Sequence, residues 1–383
     1  MADRLAHGTG REGLPYFSFE DERLADMTAA GLHLVLEEYY RLHPEWRDQK
    51  KVVFFLDEIQ VVHGGEDFAR RLLDTEQVEL FLSGSSARLL SREVATSMRG
   101  RAMEALVHPF SFCEYLRHFG REPERGLERL TKAARSRIEK DLREYLIRGG
   151  FPEAVDVSHR DRFELLRGYV DTAPLRDVIE RHAVSHPVAL RWMVRHLIGN
   201  AAGPFSVNKF HGDLRSQVIP VAKDTLHAYL GYLEDAFLIR TVAISAASAR
   251  RRMVNPRKVY PIDPALIPVF DRTGRANLGH ALETCVLLER RGSEFAYVRT
   301  EGGYEVDFLA RYPDSHQDLI QVCADLSDPA TCQREIRALQ EAAREYPSAD
   351  LHLISLEPEV PADVPPGITV HSATAWLLRK SEE

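Results

Sequence analysis

The stretch Lys51–Leu56, KVVFFL, constrains the fold more than any other part of the chain. It is apolar without alternation between charged flanks, and its length suits a strand rather than a helix. A strand that is apolar on both faces must be covered on both faces, which is the situation in a parallel sheet sandwiched by helices. A second such run, VELFLSG at Val78–Gly84, follows a segment of helical spacing at Glu66–Asp74. Upstream, LPYFSFE at Leu14–Glu20 reads as a short strand. Residues Leu24–Leu42 place Met27, Leu32, Leu36, Tyr39 and Tyr40 at helical spacing. Strand–helix–strand of this kind predicts an α/β fold whose ligands sit at the carboxyl ends of the strands.

The chain is 383 residues long, 44% hydrophobic and 28% charged, enough for two or three globular domains. Three parts are expected: 1–118, an α/β core; 119–255, a helical region with a winged helix; and 256–383, a second α/β unit. Phe110–Gly150 is helical in pattern and ends at Arg148-Gly149-Gly150-Phe151-Pro152, a helix stop and an expected domain boundary. Ser206–Ile244 reads as helix, turn, helix and strand, the order of a winged helix. The remainder reads as a helix holding Leu282 and Glu283, three strands from Phe295 to Val322, a helix at Thr331–Tyr346 and a strand at Asp350–Ser355.

Several classes drop out. The longest apolar run, Val52–Leu56, is too short to span a bilayer, and MADRLAHGTGREG has no secretory h-region. A cytoplasmic protein without a membrane partner is expected. Cys113, Cys285, Cys323 and Cys332 form no CxxC pair, against a zinc knuckle or a disulfide framework. A formal charge of -8 excludes wholesale coating of nucleic acid and leaves room for a local basic patch.

Asp57-Glu58 closes the first buried strand as VFFLDE. In phosphoryl transfer such an Asp holds the Mg²⁺ shell and the Glu activates the attacking water. Gln60 and Ser83-Gly84-Ser85-Ser86, ending the next strand, offer polar groups beside the pair. Arg99 and Arg101 are candidates to meet a phosphate from a neighbouring subunit. The same spacing also suits two carboxylates that simply leave a strand into solvent.

The stretches FFLDEIQVV and LFLSGSSARLLSREVATSMRGRAMEALVHPFSFCEYLRHFG resemble a family of bacterial and archaeal AAA+ ATP-binding proteins. Their C-terminal half is an uncharacterised domain ending in a restriction-endonuclease-like fold. RGGFPEAV, YVDTAPLRDVIERH, YLEDAFLI, KVYPID, LGHALE and EVDFL extend the likeness over nearly the whole chain. The resemblance implies an AAA+ P-loop-type parallel sheet followed by the helical middle and the nuclease-like unit. It makes Asp57 and Glu58 the Walker B pair, Ser85 a sensor position, Arg101 an arginine finger, and ATP and Mg²⁺ the cofactors. Yet the sequence holds no Gly-Lys dipeptide and therefore no GxxxxGK[ST]. Without that loop cradling the β- and γ-phosphates, ATP affinity is expected to collapse in this chain alone. A start placed too late is the expected reason, rather than evolved loss.

From Ala236 to Ile262 there is no acid, while Arg240, Arg250, Arg251, Arg252, Arg257 and Lys258 are basic. Lys209, Arg215 and Lys223 precede them on the two helices. A basic wing beside such helices would meet phosphate, although many winged helices only join domains or bind protein. Glu283, Asp307 and the strand IQVC follow the order of the restriction-endonuclease-like core, where a helix Glu, a strand Asp and an acid-x-Lys hold Mg²⁺. Glu305 and Asp307, two apart on a strand, share a face. The acid-x-Lys positions hold Gln321 and Cys323, neither suited to its task. His182 and His186 are helically spaced but lack a metalloprotease glutamate.

The expected function is that of an AAA+ ATP-binding protein acting on DNA or a DNA-bound partner, with a degenerate nuclease-like end. Self-association is a further expectation. The alternatives are a non-catalytic adaptor binding nucleic acid or protein, and a metal-dependent nuclease built on Glu283 and Asp307.

Overall fold

The computed structural model describes residues 1–24, 27–47, 49–84, 101–124, 126–246, 248–254, 256–271, 277–289, 294–356 and 364–379. Contacts divide the chain into two compact units, Met1–Leu106 and Val107–Glu383.

In the first unit, β1 (Tyr16–Ser18), β2 (Val52–Asp57) and β3 (Val78–Leu82) form a parallel sheet in the order β1-β2-β3. β2 is central and buried on both faces, as its unbroken apolar run requires: Val52, Val53, Phe54 and Leu56 are all buried. Helix Ala29–Leu42 contributes Leu32, Leu36 and Tyr40 to the same core, and helix Gly65–Thr75 adds Phe68 and Leu72. Parallel strands need crossovers, and these helices supply the cover that KVVFFL demanded. All three strands point their carboxyl ends the same way, which gathers Ser18, Asp57 and Ser83.

The second unit is built on one eight-stranded mixed sheet. Its strands are β4 (Pro204–Phe205), β5 (Ile239–Ile244), β6 (Arg257–Pro261), β7 (Glu294–Arg299), β8 (Glu305–Arg311), β9 (Gln317–Cys323), β10 (Asp350–Ser355) and β11 (Ile368–Ser372). Their order is β11-β10-β9-β8-β7-β5-β6-β4. β7, β8 and β9 are antiparallel neighbours, and β9, β10 and β11 are parallel. β4, β6 and β5 form the antiparallel end, joined to the rest through two β5–β7 pairs, Ala243–Ala296 and Ile244–Tyr297. Helix Pro187–Gly199 precedes β4, and helices Val207–Ser216 and Lys223–Asp235 lie between β4 and β5. Helix Leu278–Glu289 precedes β7, and helix Pro329–Glu345 connects β9 to β10.

The three-part expectation therefore differs from the contact division. The break falls at Leu106–Val107 rather than 118, and residues on both sides of 255 share one sheet. Gly149-Gly150 ends its helix as expected, Gly149 at φ +74°, but lies inside the unit rather than between domains. The Gly150 amide donates to Asp263 Oδ2 at 2.7 Å, and its carbonyl accepts from the Phe110 amide at 2.7 Å. A Cβ at Gly150 would stand 2.1 Å from the Phe110 oxygen. The glycines serve close approach of three chain segments, a role that sequence punctuation alone cannot separate from a linker. No helix among the described residues is long and apolar enough to cross a membrane.

Candidate functional site

Among the described residues, two polar constellations bear on the residues singled out from the sequence, one in each unit. In the first, the Asp57 carboxylate stands at the end of β2 between two hydroxyls. Tyr16 Oη donates to Oδ2 at 2.8 Å, and Ser83 Oγ donates to Oδ1. Those bonds, Ser83's first, hold the Asp57 carboxyl below its ordinary pKa of 3.8, so it stays ionised at neutral pH. Glu58 follows at φ 54°, a left-handed conformation that non-glycine residues adopt only where the surroundings impose it. The backbone turns sharply here and carries Glu58 out of the strand. Arg101 ion-pairs with Asp74 at 2.8 Å, both about half exposed. Service as an arginine finger would first break that pair, at a cost of about 1 kcal/mol or less. Ser85, Ser86 and Arg99 lie outside the described residues, as does the Gln60 side chain. Tyr16 was invisible as a site residue, because only the parallel pairing of β1 with β2 brings it to Asp57.

The second constellation is buried and centred on Lys258. Its Nζ lies 2.9 Å from Asp307 Oδ1, 3.0 Å from Glu305 Oε1 and 3.2 Å from Glu283 Oε1. Tyr260 Oη donates to the same Glu283 oxygen at 2.5 Å. Asp307 Oδ2 accepts from the Val322 amide at 3.0 Å. Gln321 Oε1 accepts from the Asp307 amide at 3.2 Å, and Gln321 Nε2 donates to Glu335 at 2.6 Å. Side-chain exposure is 4% for Lys258, 9% for Glu283 and 11% for Asp307, so the cluster is open to solvent mainly at Glu305.

Burial alone would lower the Lys258 pKa, but the charges of Asp307, Glu283 and Glu305 overcome it and raise it, so the ammonium is fully charged. Burial, and then the Asp307 charge, raises Glu283, against the pull of Lys258 and Tyr260. One buried ammonium cannot balance three carboxylates, and Glu283 is the one that keeps its proton most readily.

This arrangement corrects the placement of Lys258. It was expected on an exposed basic wing, but β6 runs between β5 and β4 and turns the side chain into the interior. The Glu283–Asp307 pair, expected to hold a metal, stands around the Lys258 ammonium. Gln321 bonds to Asp307 and Glu335, while Cys323 donates to the Asp325 carbonyl and burial pushes its thiol up to about 11. The shared face of Glu305 and Asp307 is as the strand period predicts, since both reach one Nζ.

The rest of the basic strip divides. Arg240 donates to the Leu287 carbonyl and lies over the Phe295 ring. Arg257 reaches Thr241 Oγ1 and stands 4.0 Å from Glu234, and Arg252 donates to the Ala246 carbonyl at 2.6 Å. Arg250 and Arg251 are exposed on a short helix, Ala249–Val254. Lys209, Arg215 and Lys223 are exposed on the two preceding helices. His182 stacks on Tyr232 with ring centroids 3.6 Å apart, a packing role.

Among the described residues, His316, Asp318 and Asp350 bring a nitrogen and two carboxylate oxygens within 4.8 Å of one another. His316 Nε2 already bonds Asp318 at 2.8 Å, and Tyr312 and His352 bond the same carboxylate.

Comparison with known proteins bears on the first unit above all. Residues 1–116 match the family described as an AAA domain, and residues 139–275 match a domain of unknown function, DUF8612. The chain is 31% identical over 345 residues to the uncharacterised protein MJ1544 of Methanocaldococcus jannaschii, across 88% of this chain and 74% of that one. It is 28% identical over 268 residues to an uncharacterised protein of Haemophilus influenzae, across 70% of this chain and 64% of that protein's length. Among solved structures, the Walker-type ATPase PABY2304 of Pyrococcus abyssi aligns over 67% of this chain and 83% of its own, with 16% identity and a TM-score of 0.39.

Proposed function

The chain belongs to the family of the archaeal protein MJ1544, with an ATPase-like AAA domain at its front, and from that premise we propose a Walker B role for Asp57 and Glu58. The observation that carries this reading is the ionised Asp57 at the carboxyl end of a central parallel strand, gripped by Tyr16 and Ser83. Hard carboxylate oxygen suits the water shell of Mg²⁺, and each Asp57 oxygen keeps a lone pair beyond its hydroxyl bond. Glu58, which follows at a left-handed backbone turn, would orient water in this reading. Bound Mg²⁺ would supply charge neutralisation at the phosphates. The residues fit the metal end of such a site; the phosphate cradle has no counterpart in a sequence without Gly-Lys.

The test is a fluorescent ATP titration of the 383-residue protein beside a version to which a strand–GxxxxGK[ST]–helix segment is fused in frame at the N-terminus. Affinity is expected only in the extended protein. ATP affinity in neither version sinks the proposal.

For the second unit, the element order supports a winged-helix reading of residues 187–261 and a nuclease-like reading of residues 278–355. The first runs helix, strand, two helices, strand, short helix and strand; the second runs helix, three strands, helix and strand. In the latter Lys258 fills the place of a cation among the carboxylates, so we read a scaffold rather than a nuclease. DNA contact would rest on Lys209, Arg215, Lys223, Arg250 and Arg251, all of which face solvent. Replacing Arg250 and Arg251 together by Ala should weaken duplex binding whatever its sequence and flatten the log K against log salt slope by about 1–2. An unchanged slope removes this segment from any DNA interface.

A further inference from the structure

Among the described residues, two arginines of the second unit, Arg148 and Arg162, form no ion pair with a carboxylate. Arg162, near the start of the His159–Arg181 helix, is 5% exposed, and its Nη1 is sealed from solvent with no hydrogen-bond partner. Arg148, the last residue of the Lys132–Arg148 helix, is half-buried, and its Nη1 makes one long bond, 3.4 Å, to the Val155 carbonyl. Their neighbours behave differently: Arg121 pairs with Asp141, Arg160 with Glu164 and Arg167 with Asp171. Acids are therefore plentiful in this region and committed elsewhere. The two guanidiniums are close enough that Arg148's charge, after burial itself, lowers the Arg162 pKa, with only the Tyr115 hydroxyl acting the other way.

A buried guanidinium with no acceptor is among the most costly groups a core can hold, and a second cation beside it raises that cost. A protein that retains the pair holds a site preorganised for negative charge. We propose that Arg148 and Arg162 form a binding site for a phosphate-type oxyanion. Two guanidinium forks supply the double positive charge and the planar donors that a phosphate dianion accepts. The two arginines belong to the second unit and Asp57 to the first, and neither reading uses a residue of the other, so the site holds or fails independently of the nucleotide reading.

The experiment is thermal melting of the 383-residue protein in rising inorganic phosphate, with chloride adjusted to constant ionic strength. The wild type should gain about 2–4 °C as phosphate saturates. Arg162→Met should melt above the wild type in chloride alone, because the uncompensated charge is gone, and should lose the phosphate response. Arg148→Gln, altered at the more exposed partner, should fold normally and lose most of the response. Pyrophosphate and AMP run in parallel separate free phosphate from a nucleotide-borne group. No wild-type shift, or an equal shift in Arg148→Gln, overturns the proposal. So does an Arg162→Met protein that melts lower, since that outcome makes the arginine structural.

Discussion

Lys258→Met should destabilise the second unit by about 3–5 kcal/mol. The methionine fills nearly the same volume, so the loss is electrostatic. It leaves Asp307 and Glu283 buried around an empty centre, with Glu305 on its rim. The effect should depend on pH, and its sign follows from the carboxylates. Glu283 is already raised above its ordinary 4.5 in the folded protein, and loss of the ammonium raises it further and leaves the Asp307 carboxylate without its cation. A group whose folded pKa is raised costs nothing below its unfolded value, and the penalty grows as pH climbs through that window. Lys258→Met should therefore approach wild-type stability near pH 4 and fall away from it toward pH 8, by urea denaturation at each pH. Adding Glu283→Gln and Asp307→Asn to the variant should recover much of the loss, since replacing a whole buried ion cluster is far cheaper than breaking one. A loss below about 1 kcal/mol across the range would mean that water or relaxation already solvates the carboxylates.

The same lysine marks the limit of what could be read from the sequence. The period of two placed Glu305 and Asp307 on one face, and the run KVVFFL placed Asp57 at the end of a buried parallel strand; both are local patterns and both appear in the structure. Lys258 belongs to a run of basic residues, and nothing local distinguishes it from Arg257. Only the pairing of β6 between β5 and β4 turns one into the core and leaves the other near the surface. Tyr16 is a similar case, brought to Asp57 from 41 residues away by strand pairing. Gly149-Gly150 misled in another way. A glycine pair reports that the backbone needs freedom, without saying whether the need is flexibility or, as here, contact with Phe110 and Asp263.

In the protein fused to that added phosphate-loop segment, Glu58→Gln should lower ATP turnover about 10²–10⁴-fold while leaving ATP affinity within a few-fold of the fused parent. Glutamine keeps the shape and the hydrogen-bonding reach of Glu58 but cannot take a proton, so the loss belongs to the chemical step. Asp57→Asn should behave differently. One Asn position is an amide nitrogen, which would face a hydroxyl that now donates, from Tyr16 or Ser83, so that bond is lost along with the negative charge. Turnover and Mg²⁺-dependent ATP binding should therefore fall together. The pH profile separates the two residues again. Asp57's pKa is depressed, so its ionised form persists above 3.8 and is lost only as pH falls through the still lower folded value. Any acid limb in the turnover profile above pH 5 must then come from a group other than Asp57. A Glu58→Gln protein that hydrolyses ATP within twofold of wild type would leave the strand end as a structural feature and move the search for the water-activating group elsewhere.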